Sequence, residues 1–211
     1  MTGLDDRVRI AAFDVDGTIT RRDCVVPFLR RVAGTATLAR RLVAQTRTVS
    51  TLATRRDRDG LKAAVAAAAL TGQPMQRIEE IAEDFARSVH SSGLRADTMQ
   101  LLDGHRDRGD TVVLVSASFE VYLRPLAELI GADDVLAAQL DVGPDGCLTG
   151  QLAGPNCRGP EKVVRLHAWL DERAGGRVGA HVTAYGDSAG DRELLADADV
   201  AHWLGRGTMP R

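Results

Sequence analysis

The chain has 211 residues, 44% hydrophobic and 27% charged, with a formal net charge of −2, enough for one domain with an insertion or for two small ones. That charge gives no global attraction to nucleic acid or to a membrane surface, and 4% aromatics are too few for base-stacking platforms. Cys24, Cys147 and Cys157 are too scattered for a disulfide framework or a zinc site; residues 1–9 lack a signal-peptide core and no apolar run approaches the ~20 residues of a membrane span, so the expectation is a cytoplasmic, reduced protein.

The first element is an apolar run over residues 8–13 that ends in Asp14-Val15-Asp16-Gly17-Thr18. Such a run, closed by a turn residue, reads as a buried parallel strand. In an extended chain Asp14 and Asp16 leave on the same side, and Gly17 lets the chain turn away at once. Two acids at the carboxyl end of a strand sit where open α/β sheets bind ligands. The pair suits phosphoryl transfer: one carboxylate attacks phosphorus, and the other protonates the leaving oxygen and then activates water. Phosphate and carboxylate repel, so a hard cation such as Mg²⁺ is needed between them. Alone, two acids in such a turn read equally well as a solvated loop. A calcium loop fails, since it wants Gly sixth and Glu twelfth, where this chain has Gly fourth and Val25 twelfth.

From residue 21 to about residue 97 the spacing predicts helices and no strand. Residues 25–32 and 38–49 have helical spacing, residues 61–70 are Ala-rich, and Thr71-Gly72-Gln73-Pro74 stops that helix. Ile78, Ile81, Ala82, Phe85 and Val89 then form an apolar stripe, read as core. Residues 21–62 carry ten Arg and one Lys against three Asp, a local charge of +8. This is either a solvated helical surface or a local field that draws anions toward the acidic strand end.

Beyond residue 95 strands and helices alternate. A helix over 96–108 precedes a strand over 111–115 that ends in Ser116-Ala117-Ser118. A helix over 121–130 follows, then residues 135–142 and 148–152 flank Gly143-Pro144-Asp145-Gly146 as a hairpin. Lys162 falls in the first turn of a helix over 160–173, with Pro160 at its first position; a helix N-terminus with a Lys is a ready anion site. A strand over 182–185 ends in Gly186-Asp187-Ser188, and residues 199–203 make a last strand. The fold class expected is α/β: a Rossmann-like, doubly wound parallel sheet with an inserted all-helical cap. Residues 1–20 and 97–211 form the core, and residues 21–96 a cap over the strand ends, placed as a lid.

Asp14-Val15-Asp16-Gly17-Thr18, Val115-Ser116-Ala117-Ser118, Lys162 and Gly186-Asp187-Ser188-Ala189-Gly190-Asp191, in this order, resemble the haloacid dehalogenase superfamily of phosphohydrolases. Within it the chain is similar to the phosphoserine-phosphatase-like branch (subfamily IB), over essentially its whole length. The resemblance implies a Mg²⁺-dependent phosphomonoesterase acting on a small phosphorylated metabolite through an aspartyl-phosphate. Asp14 would be the nucleophile and Asp16 the general acid/base, its backbone carbonyl touching the metal. Asp187 would be a further carboxylate ligand, and Asp191 a ligand or the residue behind one. Val15, Thr18, Ser116, Ala117 and Lys162 are placed around the phosphate, with Thr18 also supporting the nucleophile loop.

The residues leave other roles open. Ser118 reads more simply as a helix N-cap, Asp191 as a cap for residues 192–195, and Lys162 as a solvated surface residue. Phosphoserine phosphatases usually read Ser-Gly-Gly-Phe where this chain has Ser116-Ala117-Ser118-Phe119, and carry Asn where it has Gly190. Their amine-binding Glu has its counterpart in Asp23, which otherwise reads as an ion pair with Arg21 or Arg22; their cap Arg matches Lys62 only weakly. Phosphatase chemistry is therefore better supported than phosphoserine as the substrate; phosphoserine is the first candidate, with histidinol phosphate or another small metabolite as the alternative. A phosphotransferase or mutase and a non-catalytic anion-binding protein are the competing classes. No nucleic-acid or membrane partner is expected, and the chain is read as a monomer or homodimer.

Overall fold

A computed structural model describes residues 7–44 and 58–209. In chain order it holds β1 (Val8–Phe13), α1 (Val25–Ala33), α2 (Thr35–Ala44), α3 (Arg58–Leu70), α4 (Met75–Ser92), α5 (Ala96–Asp107), β2 (Thr111–Phe119), α6 (Glu120–Ile130), β3 (Asp134–Ala138), β4 (Leu140–Val142), β5 (Leu148–Leu152), α7 (Pro160–Arg173), β6 (Ala180–Gly186), α8 (Arg192–Asp197) and β7 (Val200–Trp203). The second half of the helix expected over 38–49 lies outside the described residues. Among those described, no helix is long and apolar enough to cross a membrane.

Five strands form a parallel sheet in the order β3-β2-β1-β6-β7. β1 is central because both its faces are apolar. Ala11 and Phe13 enter one buried cluster, Ile10 and Ala12 the other. β2 divides the same way, with Val112 and Leu114 on the first face and Val113 and Val115 on the second. A strand buried on both sides must read as a continuous apolar run, as residues 8–13 do. α7 and α8 cover one face, contributing Leu166, Leu170 and Leu194.

The other face is covered in part by helices inserted between β1 and β2. Within that insertion the described residues form no strand. Its foot is laced to the first motif: Arg21 N donates to Gly93 O (2.8 Å), Arg95 N to Ile19 O (2.9 Å), and the Arg95 guanidinium to Gly17 O (2.6 Å). Phe28 of α1 and Phe85 of α4 pack with Phe119 of β2 and Tyr122 of α6, ring centroids 4.8–6.3 Å apart. Insert and sheet thus bury one continuous apolar cluster.

The stretch read as one hairpin strand over residues 135–142 is two strands. β3 joins the parallel sheet beside β2, while β4 pairs antiparallel with β5 in a separate ribbon. The ribbon docks on the insert: Gly72 N donates to Leu148 O, Leu148 N to Gln73 O, and Met75 N to Gly146 O (2.8, 2.8 and 3.0 Å). Gly150 permits the approach, because a Cβ there would stand 3.1 Å from Ala67 Cα and its φ is +84°. Residues 135–142 are apolar except for Gln139 and Asp141, so the pattern did not mark the change of partner at Gln139.

β7 is tied to β6 by Asp199, which accepts from Val182 N (2.9 Å), Arg177 (2.8 Å) and Arg7 (2.9 Å). Burial pushes its pKa up, but these donors outweigh that and hold it well below the ordinary carboxylate value. A depressed folded pKa contributes stability above the unfolded value and loses it as pH falls. Denaturant melts should therefore show Asp199→Asn less stable than the parent at neutral pH, the gap closing below about pH 4. A gap of constant size across that range would contradict the linkage.

Candidate active site

The chain leaves β1 at Asp14, whose N–H donates to Tyr185 O of β6 (2.9 Å). Its carboxylate meets Lys162 in the first turn of α7: Lys162 Nζ lies 2.7 Å from Asp14 Oδ1 and 2.5 Å from Asp191 Oδ1. All three are nearly inaccessible, at 6%, 1% and 1% exposure, so Lys162 is a buried bridge rather than a solvated surface residue. Burial pushes Asp14 up to about 7 against the pull of Lys162. Burial would also raise Asp191, but Lys162 and Ser188 outweigh it and hold Asp191 down. The same two carboxylates push Lys162 upward, against its own burial. The ammonium is charged, and two acids share it.

Asp191 is tightly held. Its Oδ2 accepts from Ser188 N (2.9 Å), Ser188 Oγ (2.8 Å) and Asp187 N (3.2 Å), closing a capping box after β6. It does not cap α8 through its side chain. Both its oxygens are engaged, so it fixes Lys162 and the turn that carries Asp187.

Asp187 differs. Its Oδ1 is buried with no hydrogen-bond partner, and burial and Asp191 push its pKa up. Oxygens of Asp14, Asp187 and Asp191 lie within 4.8 Å of one another. One ammonium faces three carboxyl groups in that cluster. An unpartnered carboxylate oxygen among hard oxygen donors fits Mg²⁺, which takes one or two carboxylates and otherwise water or phosphate oxygens. Gly17 makes the approach possible: its φ is +87°, and a Cβ there would stand 2.2 Å from Asp187 Oδ2.

Asp16 sits beside this cluster. Its Oδ1 accepts from Cys24 N (2.9 Å), and its Oδ2 from the Ser118 hydroxyl. Burial and nearby Asp23 raise its pKa. β2 runs on to Phe119, and its pairing with β3 shifts register between Ser116 and Phe119. Such irregularities re-aim side chains at sheet rims. Ser118 is not a helix cap: the N-cap of α6 is Phe119, with no side-chain capping bond.

Asp14, Asp16, Gly17, Asp23, Ser116, Ala117, Lys162, Asp187 and Asp191 line one cavity of about 580 Å³. Val15 and Thr18 do not line it: both are fully buried, Val15 O accepts from the N–H groups of residues 18–20, and the Thr18 hydroxyl has no partner. Asp23 Oδ1 accepts from Val25 N (2.9 Å) and Val26 N (3.3 Å), so it caps α1 instead of pairing with Arg21 or Arg22. Lys62 lies in α3, and its side chain is outside the described residues, as is part of the basic stretch.

Sequence reasoning missed Asn156 and Arg158, which line the cavity from the loop before α7. The signal was a Gly- and Pro-rich stretch, Gly154 to Pro160, directly ahead of the anion-binding helix. Arg158 packs against Gly190, where a Cβ would lie 3.0 Å from its Nε.

A β1 tip with two acids, a Ser-bearing β2 tip, a Lys in the first turn of α7 and an acidic β6 tip, around one parallel sheet, define a hydrolase site of a recognisable class. The chain belongs to the haloacid dehalogenase-like hydrolases, whose sequence profile matches residues 11–196. It is 37% identical to protein CicA of Caulobacter vibrioides, over 94% of this chain and 87% of that protein. Its fold is similar to that of a Bordetella pertussis protein of unknown function (TM-score 0.73, 23% identity, 90% and 86% of the two chains). It is also similar to that of a substrate-bound phosphoserine phosphatase (TM-score 0.60, 18% identity, 91% and 83%).

Removing Lys162 leaves two buried acids facing each other. Breaking a buried pair this way costs about 3–5 kcal/mol. Lys162→Met should lower unfolding stability by that order at neutral pH and by less in acid, where Asp14 protonates; unchanged denaturant midpoints would show the bridge contributes nothing.

Proposed function

We propose that the protein is a Mg²⁺-dependent phosphomonoester hydrolase that works through an aspartyl-phosphate on Asp14. The observation that carries the reading is the Lys162 bridge between Asp14 and Asp191, with the unpartnered oxygen of Asp187 beside it. Asp14, Asp187 and the turn held by Asp191 would hold the cation, which when bound offsets repulsion between carboxylates and the substrate phosphate. An Asp14 oxygen attacks phosphorus as the bond to the leaving oxygen breaks, and Asp16 gives that oxygen a proton. Asp16 then takes a proton from the water that attacks the aspartyl-phosphate, releasing inorganic phosphate and restoring Asp14. The Ser116 hydroxyl, the Ala117 N–H and Lys162 hold the phosphate oxygens. Little covalent work is left to the protein, so the rate comes from placed charges and donors.

The substrate read here is a small phosphorylated metabolite bearing an ammonium group, phosphoserine first and histidinol phosphate next. Cap formation uses one Asp23 oxygen, and among the described residues of the insert Asp23 is the acid on a cavity wall otherwise built by Val25, Val26, Leu29 and Val65. A phosphate held at the strand tips and an ammonium at Asp23 would orient such a molecule along the cavity. The helical insert over residues 21–96 serves as the cap that shapes this wall.

Two experiments test these readings. Phosphate release from p-nitrophenyl phosphate should need Mg²⁺, stop with chelator and fall by more than about 10⁴-fold in Asp14→Asn; beryllofluoride should form a phosphoaspartate mimic on Asp14. Appreciable turnover by that variant would end the reading. Asp23→Asn keeps a good helix cap but removes the charge. It should lower kcat/KM for phosphoserine by about tenfold and leave p-nitrophenyl phosphate unchanged; equal effects on both would remove Asp23 from substrate selection.

A further inference from the structure

We propose that Ser118 is a positioning residue that keeps the Asp16 carboxyl group aimed at the leaving oxygen. The inference rests on the reading of Asp16 as proton donor. Ser118 is fully buried at the irregular end of β2. Its hydroxyl donates to Asp16 Oδ2, and its own N–H donates to Ser116 Oγ (3.1 Å). The start of α6 does not consume the hydroxyl, since that helix has no side-chain cap. Asp16 Oδ1 is held separately by Cys24 N (2.9 Å), so Ser118 removes the carboxyl group's remaining rotational freedom.

The chemistry makes a hydroxyl suitable for this place. A hydroxyl can donate to one lone pair of a carboxyl oxygen both when the group is a carboxylate and when its acid proton points at the leaving oxygen. Ser118 can therefore stay bonded to Asp16 before and after the proton leaves. In the step concerned, the phosphorus–leaving-oxygen bond breaks and an Asp14–phosphorus bond forms. The electron pair left on the departing oxygen takes the Asp16 proton, and Asp16 becomes a carboxylate. The backbone of the same residue occupies one lone pair of Ser116 Oγ, which leaves the Ser116 hydrogen free to point at a phosphate oxygen. One residue thus sets the donor to the leaving group through its side chain and the donor to the phosphate through its backbone.

The test separates the two functions. kcat/KM covers the steps up to loss of the leaving group, and good leaving groups need little protonation. Wild type, Ser118→Ala and Ser118→Thr are compared on p-nitrophenyl phosphate, phenyl phosphate and glycerol 2-phosphate. Thermal melts and inhibition by inorganic phosphate check the folded site. Ser118→Ala should lose about 30-fold or more in kcat/KM on glycerol 2-phosphate and under about threefold on p-nitrophenyl phosphate. Phosphate inhibition should be unchanged, because the N–H to Ser116 survives, and Ser118→Thr should recover most of the loss. Equal losses across the three substrates, no loss, weakened phosphate inhibition or failure to fold would each overturn the positioning role. Wild-type turnover that Asp14→Asn abolishes supports the hydrolase reading independently of those outcomes; no wild-type turnover overturns both.

Discussion

The structure depends on one buried ammonium. Lys162 stands between Asp14 and Asp191, and without it the carboxylates would be desolvated without compensation, a situation proteins avoid by pairing or by neutralisation. The bridge reaches across the fold. Asp14 follows the central strand, Lys162 opens α7, and Asp191 closes the turn after β6. Holding these three together fixes the relative height of two strand tips and a helix, which places Asp187 beside Asp14. The same cluster offers oxygen donors that suit a hard cation, because one ammonium faces three acids.

Around this bridge the strand tips converge by backbone geometry. Parallel strands present their carboxyl ends on one side, so β1, β2 and β6 bring Asp14, Ser116 and Asp187 to a common cavity. Local deviations finish the arrangement. At the register shift that ends β2, Ser118 bonds to Asp16 and Ser116 lines the cavity. Gly17 lets the first loop pass against Asp187 where no side chain could fit. Gly190 packs against Arg158. Each departs from regular strand or helix, and each serves the cavity.

The helical insert is bound to the sheet in three ways: the laced foot at residues 17–21 and 93–95, the aromatic cluster of Phe28, Phe85, Phe119 and Tyr122, and the β4–β5 ribbon bonded to residues 71–75. Burying a continuous apolar face between two bodies ties their positions together. The wall carrying Asp23 and its aliphatic neighbours therefore takes its position from the same core that supports the strand tips.

The sequence by itself determined the central strand, the alternation of strands and helices beyond residue 95, and the acids and Lys162 at their tips. Those follow from short-range rules: apolar runs that must be buried, periodicity, and turn residues at fixed places. It did not determine which partner each strand takes. Residues 135–142 read as one mostly apolar stretch, yet Gln139 divides a strand of the sheet from a strand of the ribbon, because pairing is decided by contacts far away in the chain. The same limit applied to side chains. Ser118 read as a cap and Asp23 as half of a surface ion pair, since both roles can be filled by sequence neighbours. Folding gave Ser118 a partner 102 residues away and left Asp23 facing the cavity while it caps α1. Arg158 carried no pattern of its own; only the packing of its loop against Gly190 brings it to the site. Tertiary structure decided these positions, because a hydrogen bond or an ion pair goes to whichever group the buried core brings within reach.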